Sequence, residues 1–134
     1  MTTHPYIHFQ GNCAQAMTAY AEIFGGTDLQ MMPYAAMPGG DPRQGADQRM
    51  MHAQVRIGDG VLMASDFPPG VEGDPQKAVS IMQVAKSVDI GQIWFDRLLE
   101  GGNLIHPFGP TFFSPGFGMV KDRFGTHWII SALA

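Results

Sequence analysis

The sequence predicts an α+β fold built from two β-α-β-β-β modules whose mixed sheets enclose a cleft. The same order of elements occurs twice, as a strand, a helix, a Gly-Gly pair followed shortly by Leu, and further strands. Two segments are also echoed: Gly25–Leu29 by Gly101–Leu104, and Ile57–Met63 by Arg123–Ile129. One such module leaves a face of its sheet uncovered, so two modules can pair and enclose a small-molecule site.

Module one begins with the segment Tyr6–Gln10, whose apolar and polar residues alternate as in a half-buried strand. The alternation places Ile7 and Phe9 on the core side and the other residues of the strand on the cleft side. A helix follows between Asn12, which can cap it, and Gly25-Gly26, which ends it. The apolar residues of this helix recur at helical spacing, at Met17, Tyr20, Ala21 and Phe24.

The rest of module one is predicted to be a weaker strand, a long loop and a β-hairpin. Leu29–Ala36 reads as the strand, and the Gly/Pro-dense segment Gly39–Gly45, which carries no phosphate-binding glycine motif, is interpreted as a mobile flap. Met50–Ile57 and Val61–Ser65 flank Gly58-Asp59-Gly60, whose Asp-Gly step suits a tight hairpin turn. In the first hairpin strand, His52, Gln54 and Arg56 share the face opposite Val55 and Ile57.

Module two repeats the pattern of module one. Val79–Val84 predicts a strand, Ser87 can cap a helix, and Gly101-Gly102 ends that helix. Leu104–Pro107 predicts the next strand, and the last two strands flank Asp122–Gly125. The apolar face assigned to the helix consists of Ile90, Ile93, Trp94 and Leu98.

The chain is predicted to be a single domain of 134 residues, with module one at about 1–66, a linker at about 67–77 and module two at about 78–134. Its net charge of −4 and scattered Lys and Arg residues offer no basic patch, so we expect no nucleic-acid or membrane partner. No signal peptide or membrane-spanning apolar run is recognisable, and the single Cys13 forbids an internal disulfide. We therefore expect a cytoplasmic protein.

Four stretches carry a family resemblance: Pro5–Asn12, Tyr20–Gly26, Leu62–Asp66 and, above all, Gly116–Ile130 with its Gly-Phe-Gly and Asp-x-Phe-Gly-x-x-Trp spacing. Together they resemble the PhnB-like branch of the vicinal oxygen chelate superfamily. That superfamily includes glyoxalase I, bleomycin-resistance proteins, fosfomycin-resistance enzymes and extradiol dioxygenases. The resemblance covers nearly the whole chain and implies a glyoxalase/bleomycin-resistance-like fold, a small-molecule ligand and a homodimer.

The resemblance also implies where a metal would bind. In the metal-dependent relatives four inward side chains hold one divalent ion, and their positions match Pro5 or Tyr6, Met63, Val79 or Ser80, and Ile129. Thioether and alkyl groups do not replace carboxylate or imidazole donors for such ions. We therefore expect neither a metal nor another cofactor.

The histidines leave two alternatives open. His8, His52 and His127 are predicted to face the cleft, where they would line a pocket or, less simply, form a shifted metal site or supply a general base. No carboxylate with ligand-like placement accompanies them, which favours the pocket-lining role. The candidate ligand-binding residues are Tyr6, His8, His52, Gln54, Met63, Phe113 and His127.

The remaining reactive groups have structural interpretations. Asp66 and Asp122 lie beside turn residues at strand ends, where Asp typically accepts hydrogen bonds from local backbone N–H groups. Cys13 stands at the first helical position without any recognisable base partner, which indicates an inert thiol. The phenylalanines of the last loop either close on a flat ligand or pack in the core against Trp128; they are Phe112, Phe113 and Phe117.

The sequence thus predicts a protein that binds a small, partly apolar molecule in the cleft between modules, without the superfamily metal. The alternative is a lyase, isomerase or other enzyme of the superfamily. Such an enzyme would depend on a metal at a rearranged His site, or would use a His as its base.

Overall fold

A computed structural model describes residues 1–36 and 48–134, so the predicted flap Gly39–Gly45 lies outside the described residues. The chain divides into two compact units, Met1–Pro75 (unit 1) and Gln76–Ala134 (unit 2). In each unit, one helix packs against a mixed sheet of four described strands. The predicted α+β class with two β-α-β-β-β modules is confirmed.

The elements of unit 1 are β1 (Tyr6–Phe9), α1 (Cys13–Phe24), β2 (Thr27–Pro33), β3 (Met50–Ile57) and β4 (Gly60–Asp66). The sheet order is β1-β4-β3-β2, with β1 parallel to β4 and the other neighbours antiparallel. The predicted strand Leu29–Ala36 is displaced, because residues Tyr34–Ala36 form a short 3₁₀ turn instead.

The core of unit 1 lies between α1 and one face of its sheet. The predicted alternation is confirmed: β1 buries Ile7 and Phe9, and β3 buries Ala53, Val55 and Ile57. Helix α1 contributes a buried stripe of Cys13, Ala16, Met17, Tyr20 and Phe24.

The start of α1 differs from the prediction. The side chain of Asn12 makes no capping hydrogen bond. Instead Oδ1 of Asp66, at the end of β4, accepts hydrogen bonds from the backbone N–H groups of Gly11 (2.8 Å) and Cys13 (3.0 Å). The negative charge of a carboxylate interacts favourably with the positive end of the helix dipole, and this one accepts from two backbone donors. Asp66, although distant in sequence, therefore takes the capping role predicted for Asn12.

The elements of unit 2 are β5 (Ile81–Ala85), α2 (Val88–Leu99), β6 (Asn103–Gly109), β7 (Gly116–Lys121) and β8 (His127–Ala132). The sheet order is β5-β8-β7-β6, with β5 parallel to β8. Strand β5 lies slightly later than the predicted Val79–Val84. The predicted cap of α2 is confirmed, because Oγ of Ser87 accepts a hydrogen bond of 3.2 Å from the N–H of Ile90.

The buried face of α2 is rotated from the predicted one. Leu98 is buried as predicted, whereas Ile90 and Ile93 are exposed, the latter by 58%. The helix buries Gly91 and Phe95 in their place. The ring of Phe108 lies against Gly91, where a Cβ would come within 2.9 Å of it. A glycine beside a large aromatic ring brings the helix close to the sheet along this side.

In the described ranges, neither helix is long and apolar enough to cross a membrane.

Candidate functional site

The sheet of unit 1 has one face away from α1, here called the open face of unit 1. Strand alternation places on it five predicted ligand-binding residues, which are Tyr6, His8, His52, Gln54 and Met63. The strand register sets Tyr6 beside Met63, and Met63 beside Gln54. The hairpin of β3 and β4, together with β1 from a distant part of the sequence, therefore brings these side chains together.

A chain of hydrogen bonds runs across this face. The hydroxyl of Tyr6 lies 2.9 Å from Nδ1 of His52, and Nε2 of His52 lies 2.9 Å from Oε1 of Gln54. An amide oxygen only accepts, so in the neutral form of His52 its Nε2 donates to Gln54 and its Nδ1 accepts from the Tyr6 hydroxyl. Both ring nitrogens of His52 are therefore engaged within the protein.

Four aromatic rings form a continuous row on the open face, here called the aromatic row: Phe67, His8, Tyr6 and His52. Successive ring centroids are 5.4, 5.2 and 5.6 Å apart, and the Phe67–His8 pair is stacked. Nδ1 of His8 shares a hydrogen bond of 3.2 Å with Oγ of Ser65, and no described residue pairs with Nε2. The row thus presents flat apolar surface together with an imidazole nitrogen, Nε2 of His8, that no described residue engages.

Phe67 is the member of this row that the sequence assigned to the linker. Its ring lies so close to Gly73 that a Cβ at that position would collide with it. Nη1 of Arg49 donates to the backbone oxygen of Phe67 (3.0 Å), and Nε2 of Gln10 donates to the backbone oxygen of Gly73 (3.0 Å). These contacts hold the Phe67 ring against His8. The aromatic residue directly after β4 was the sequence signal, but the contacts with Arg49 and Gly73 join distant segments.

The two buried aspartates have the predicted structural role. Besides Gly11 and Cys13, Asp66 accepts a hydrogen bond of 2.8 Å from the N–H of Met50. Asp122 accepts from the backbone N–H groups of Phe124 (2.9 Å) and Thr126 (3.0 Å) and from Nε1 of Trp128 (2.8 Å). Their carboxylate oxygens are occupied by structural donors, which disfavours a catalytic role.

Cys13 is fully buried, and this burial, reinforced by the neighbouring Asp66 carboxylate, raises its pKa from 9.0 to about 12. We expect a thiol reagent such as dithionitrobenzoate to react with the folded protein at mildly alkaline pH at least about tenfold more slowly than with the protein in denaturant. Equal labelling rates would contradict the burial of the thiol.

Folding raises the pKa of Cys13, so the folded protein favours the protonated thiol. The resulting contribution to the free energy of unfolding is complete below pH 9.0 and is lost as the pH rises toward about 12.

The corresponding face of unit 2, opposite α2, is more apolar. It carries Met82, Phe117, Met119 and Ile129, with Met82 exposed by 55%. His127 lies on the same side as Ile129, as predicted, and its Nδ1 is buried with no hydrogen-bond partner in the part of the chain that the structure describes.

The phenylalanine loop of unit 2 projects into solvent. Phe112 and Phe113 are exposed by 100% and 59%, so the interpretation that they pack in the core against Trp128 is wrong. Their rings continue in edge-to-face contacts to Phe117, with centroids 5.1 and 5.0 Å apart. Oγ1 of Thr111 accepts from the backbone N–H groups of Phe113 and Ser114 and so orders the loop. The exposed rings are available to an external apolar partner or ligand.

The positions that the family resemblance assigns to metal ligands do not carry suitable donors. Tyr6 pairs with Met63 in unit 1, and by the same register Met82 pairs with Ile129 in unit 2. The third position is therefore Met82, and the sequence-based choice of Val79 or Ser80 is wrong because both precede β5. A phenol, two thioethers and an alkyl group do not fit a divalent ion of this class.

The rearranged metal site also finds no support in the described residues. His8 and His52 lie in unit 1 and His127 lies in unit 2. Among the described residues, no three His, Cys, Asp or Glu side chains come together in a group that could hold a metal ion.

The chain matches a protein family and a curated relative over nearly its whole length. A family model described as 3-demethylubiquinone-9 3-methyltransferase matches residues 2–131. The chain belongs to this family. The curated protein YjdN of Escherichia coli (strain K12) is 30% identical over 142 residues, which cover 99% of this chain and 96% of YjdN.

Several solved structures share the fold of this 3-demethylubiquinone-9 3-methyltransferase family member. Protein PA1353 from Pseudomonas aeruginosa has a TM-score of 0.90 and 35% identity, covering 99% of this chain and 98% of its own. The PhnB protein from Bacillus cereus has a TM-score of 0.77 and 19% identity, covering 98% and 99%. Two glyoxalase/bleomycin resistance proteins share the fold with TM-scores of 0.68. The PhnB-like resemblance is confirmed, while the activity in the family description does not follow from the fold.

Proposed function

We propose that this protein binds a small, partly apolar molecule on the open face of unit 1, without the superfamily metal. The observation that carries the proposal is the aromatic row, which places Phe67, His8, Tyr6 and His52 side by side on the face that α1 does not cover. Ligand sites combine such apolar surface with a few oriented polar groups. Here Gln54 and the available nitrogen of His8 supply the polar edge.

We also propose that the face of the unit 2 sheet opposite α2 contributes to ligand binding, because its side chains are mostly apolar. Met82 and Val84 on β5 are about half exposed, as is Phe113. Side chains of this kind lose unfavourable contact with water when a ligand covers them. We propose that Phe113 and His127 contribute to ligand binding together with these neighbours.

An NMR screen of small aromatic and aliphatic compounds with ¹⁵N-labelled protein tests the binding proposal. We expect hits to shift resonances of the aromatic row, and we expect His8→Ala and His52→Ala to weaken binding while leaving the rest of the spectrum unchanged. His4→Ala is the matched control, because His4 is exposed and, among the described residues, hydrogen-bonds with Thr2 alone. Hits that leave the open face of unit 1 unperturbed would contradict the proposal.

The alternative function, an enzyme with a histidine base, depends on which imidazole nitrogens can reach a ligand. His52 uses both ring nitrogens within the protein, so it does not abstract a proton from a ligand directly. His8 keeps Nε2 available and is the better candidate for a general base. A lyase or isomerase of this kind would lose activity in His8→Ala more than in His127→Ala.

We predict that the purified protein carries no stoichiometric nickel, zinc or iron. The positions of Tyr6, Met63, Met82 and Ile129 offer no donor set for these ions. Elemental analysis by mass spectrometry after purification without chelators measures the content. One metal ion per chain that disappears in His8→Ala or His52→Ala would instead establish a rearranged site.

We propose that the protein functions in the cytoplasm as a homodimer. Pairing of two chains would cover apolar side chains that the described strands expose, such as Leu104 and Ile105 on β6. Sedimentation velocity at tens of micromolar is expected to give the mass of two chains, since obligate dimers stay associated at such concentrations. A monomer under these conditions would contradict this expectation.

A further inference from the structure

One corner of the unit 2 sheet, on the face opposite α2, carries three polar side chains from adjacent strands. The strand register sets Lys121 of β7 directly opposite His127 of β8, and Asn103 of β6 opposite Lys121. Both Lys121 and His127 lie on this face, because their neighbours Val120 and Trp128 are buried on the other. Directly opposed residues of antiparallel strands have Cβ atoms about 4.5–5.5 Å apart, so the three side chains can meet around one small group. They are called the polar corner of unit 2 below.

His127 contributes a nitrogen that the fold does not satisfy. Its Nδ1 is buried, and within residues 1–36 and 48–134 no group forms a hydrogen bond with it. This holds for either position of the ring proton, because an N–H there would lack an acceptor and a lone pair would lack a donor. Buried polar atoms are nearly always paired, so an orphaned one indicates a place where a ligand supplies the partner. Since no hydrogen bond fixes the ring, the imidazole can rotate toward a ligand without losing one.

Lys121 brings a positive charge to the same corner. In the described parts of the chain, no Asp or Glu forms a salt bridge with this ammonium group. The adjacent Asp122 is buried, and its carboxylate accepts from two backbone N–H groups and from Nε1 of Trp128. A cation without an opposite charge, next to an unsatisfied imidazole, favours binding of an anion.

Beside the polar corner, the same face carries a row of apolar side chains, here called the apolar strip: Met82, Ile129 and Met119. The register sets Ile129 opposite Met119 and beside Met82. The strip lies two residues along the strands from the polar corner, which is about 7 Å. Met82 is 55% exposed, so an apolar chain that covers the strip removes unfavourable contact with water. A chain of five or six carbons spans this distance when its head group lies at the corner.

We infer that the polar corner of unit 2 binds the carboxylate of a singly charged organic acid, whose hydrocarbon chain lies over the apolar strip. This inference rests on the proposed function and specifies the charge and head group of the ligand. Lys121 supplies the opposite charge, and the imidazole of His127 and the amide of Asn103 supply N–H donors.

The composition of the corner favours a carboxylate over a phosphate monoester. A phosphate monoester carries nearly two negative charges and three acceptor oxygens, whereas the corner has one ammonium group. Strands β7 and β8 are the two inner strands of the sheet, so their backbone N–H groups are used between strands and are not available as further donors.

Three six-carbon compounds test the inference, because hexanoate, hexan-1-ol and hexylammonium share an apolar chain and differ in the charge of the head group. In ¹⁵N NMR titrations at neutral pH and low salt, we expect hexanoate to bind about five- to twentyfold more tightly than hexan-1-ol, as one charge-assisted hydrogen bond at a partly exposed site allows. Hexylammonium should bind more weakly than hexan-1-ol. The shifted resonances should belong to β7 and β8.

Substitutions of Lys121 separate its charge from its stem. Lys121→Met keeps an apolar stem of similar length, so it should abolish the preference for hexanoate while the affinity for hexan-1-ol is retained. Lys121→Arg should keep the preference. Lys86→Met is the matched control, because it changes the net charge equally at an exposed position just after β5, at the opposite end of the sheet from His127. It should leave the preference unchanged.

His127→Leu tests the unsatisfied nitrogen. We expect the preference for hexanoate to fall severalfold, whereas the urea midpoint should stay the same or rise, because a buried polar atom without a partner is removed. A midpoint lowered as far as in Phe9→Ala would show that His127 is a structural group and would overturn its role in the site.

The results distinguish this inference from the proposed function. Equal affinities for hexanoate and hexan-1-ol, or a preference that survives in Lys121→Met, would overturn the carboxylate site and leave the binding of apolar molecules intact. If none of the three compounds shifts resonances of β7 or β8 up to its solubility limit, the inference fails together with the proposed contribution of unit 2. Shifts confined to the aromatic row would then restrict the proposed function to unit 1.

Discussion

Replacing Phe9 with Ala is expected to lower the free energy of unfolding by about 3–5 kcal/mol, because a buried aromatic ring is deleted and a cavity remains. Phe9 is 3% exposed and lies on the side of β1 that faces the core. His8→Ala, one residue earlier on the other side of the same strand, should cost less than about 1 kcal/mol, because no packed apolar group is lost. Urea denaturation of both variants measures the difference.

A second pair on β3 repeats this comparison. Ile57→Ala removes a buried side chain and should cost about 2–4 kcal/mol. His52→Ala breaks hydrogen bonds on the partly exposed face, where water replaces the lost partners, and should cost about 1 kcal/mol or less. If the His variants are as destabilised as Phe9→Ala, these imidazoles are structural groups, and the proposed ligand site loses its polar residues.

The face assignments of β1 and β3 could be predicted from the sequence because side-chain direction in a strand depends only on local alternation. Ile7 and Phe9 are the apolar residues of β1, so the alternation assigns Tyr6 and His8 to the opposite side of the strand. His52 and Gln54 followed from Val55 and Ile57 in the same way. The residues of the candidate site on β1 and β3 could therefore be predicted from the local alternation of apolar and polar residues.

Other features depend on contacts between distant segments. Phe67 joins the aromatic row only because Arg49 and Gly73 hold the chain after β4 in place. The buried face of α2 depends on Phe108 from β6 lying against Gly91. The hydrogen-bond chain from Tyr6 to Gln54 requires the register of three strands. Local periodicity contains none of these distances, so the sequence could propose Tyr6, His52 and Gln54 but neither the hydrogen bonds between them nor the place of Phe67 in the aromatic row.

Asp66 carries the second large expected effect, because a single carboxylate joins three segments of unit 1. It accepts from Gly11 and Cys13 at the start of α1 and from Met50 at the start of β3. Asp66→Ala leaves these three N–H groups without their acceptor and should cost about 3–5 kcal/mol, since each buried unsatisfied donor costs about 1–3 kcal/mol. Asp74→Ala, at an exposed position of the same unit, is the matched control and should change stability by less than about 0.5 kcal/mol.

The Asp66→Asn variant distinguishes the roles of the two carboxylate oxygens. An Asn side chain can keep one acceptor for Gly11 and Cys13 but places an NH₂ group against the N–H of Met50, so an intermediate loss of stability is expected. Thiol labelling supplies a second readout at the helix start, because Cys13 is buried directly beside this contact. Asp66→Ala should label faster than the wild-type protein, and Asp66→Asn only slightly faster. If Asp66→Ala is as stable as Asp74→Ala and its thiol stays protected, the local segment at Asn12 suffices to start α1, and the long-range cap is dispensable.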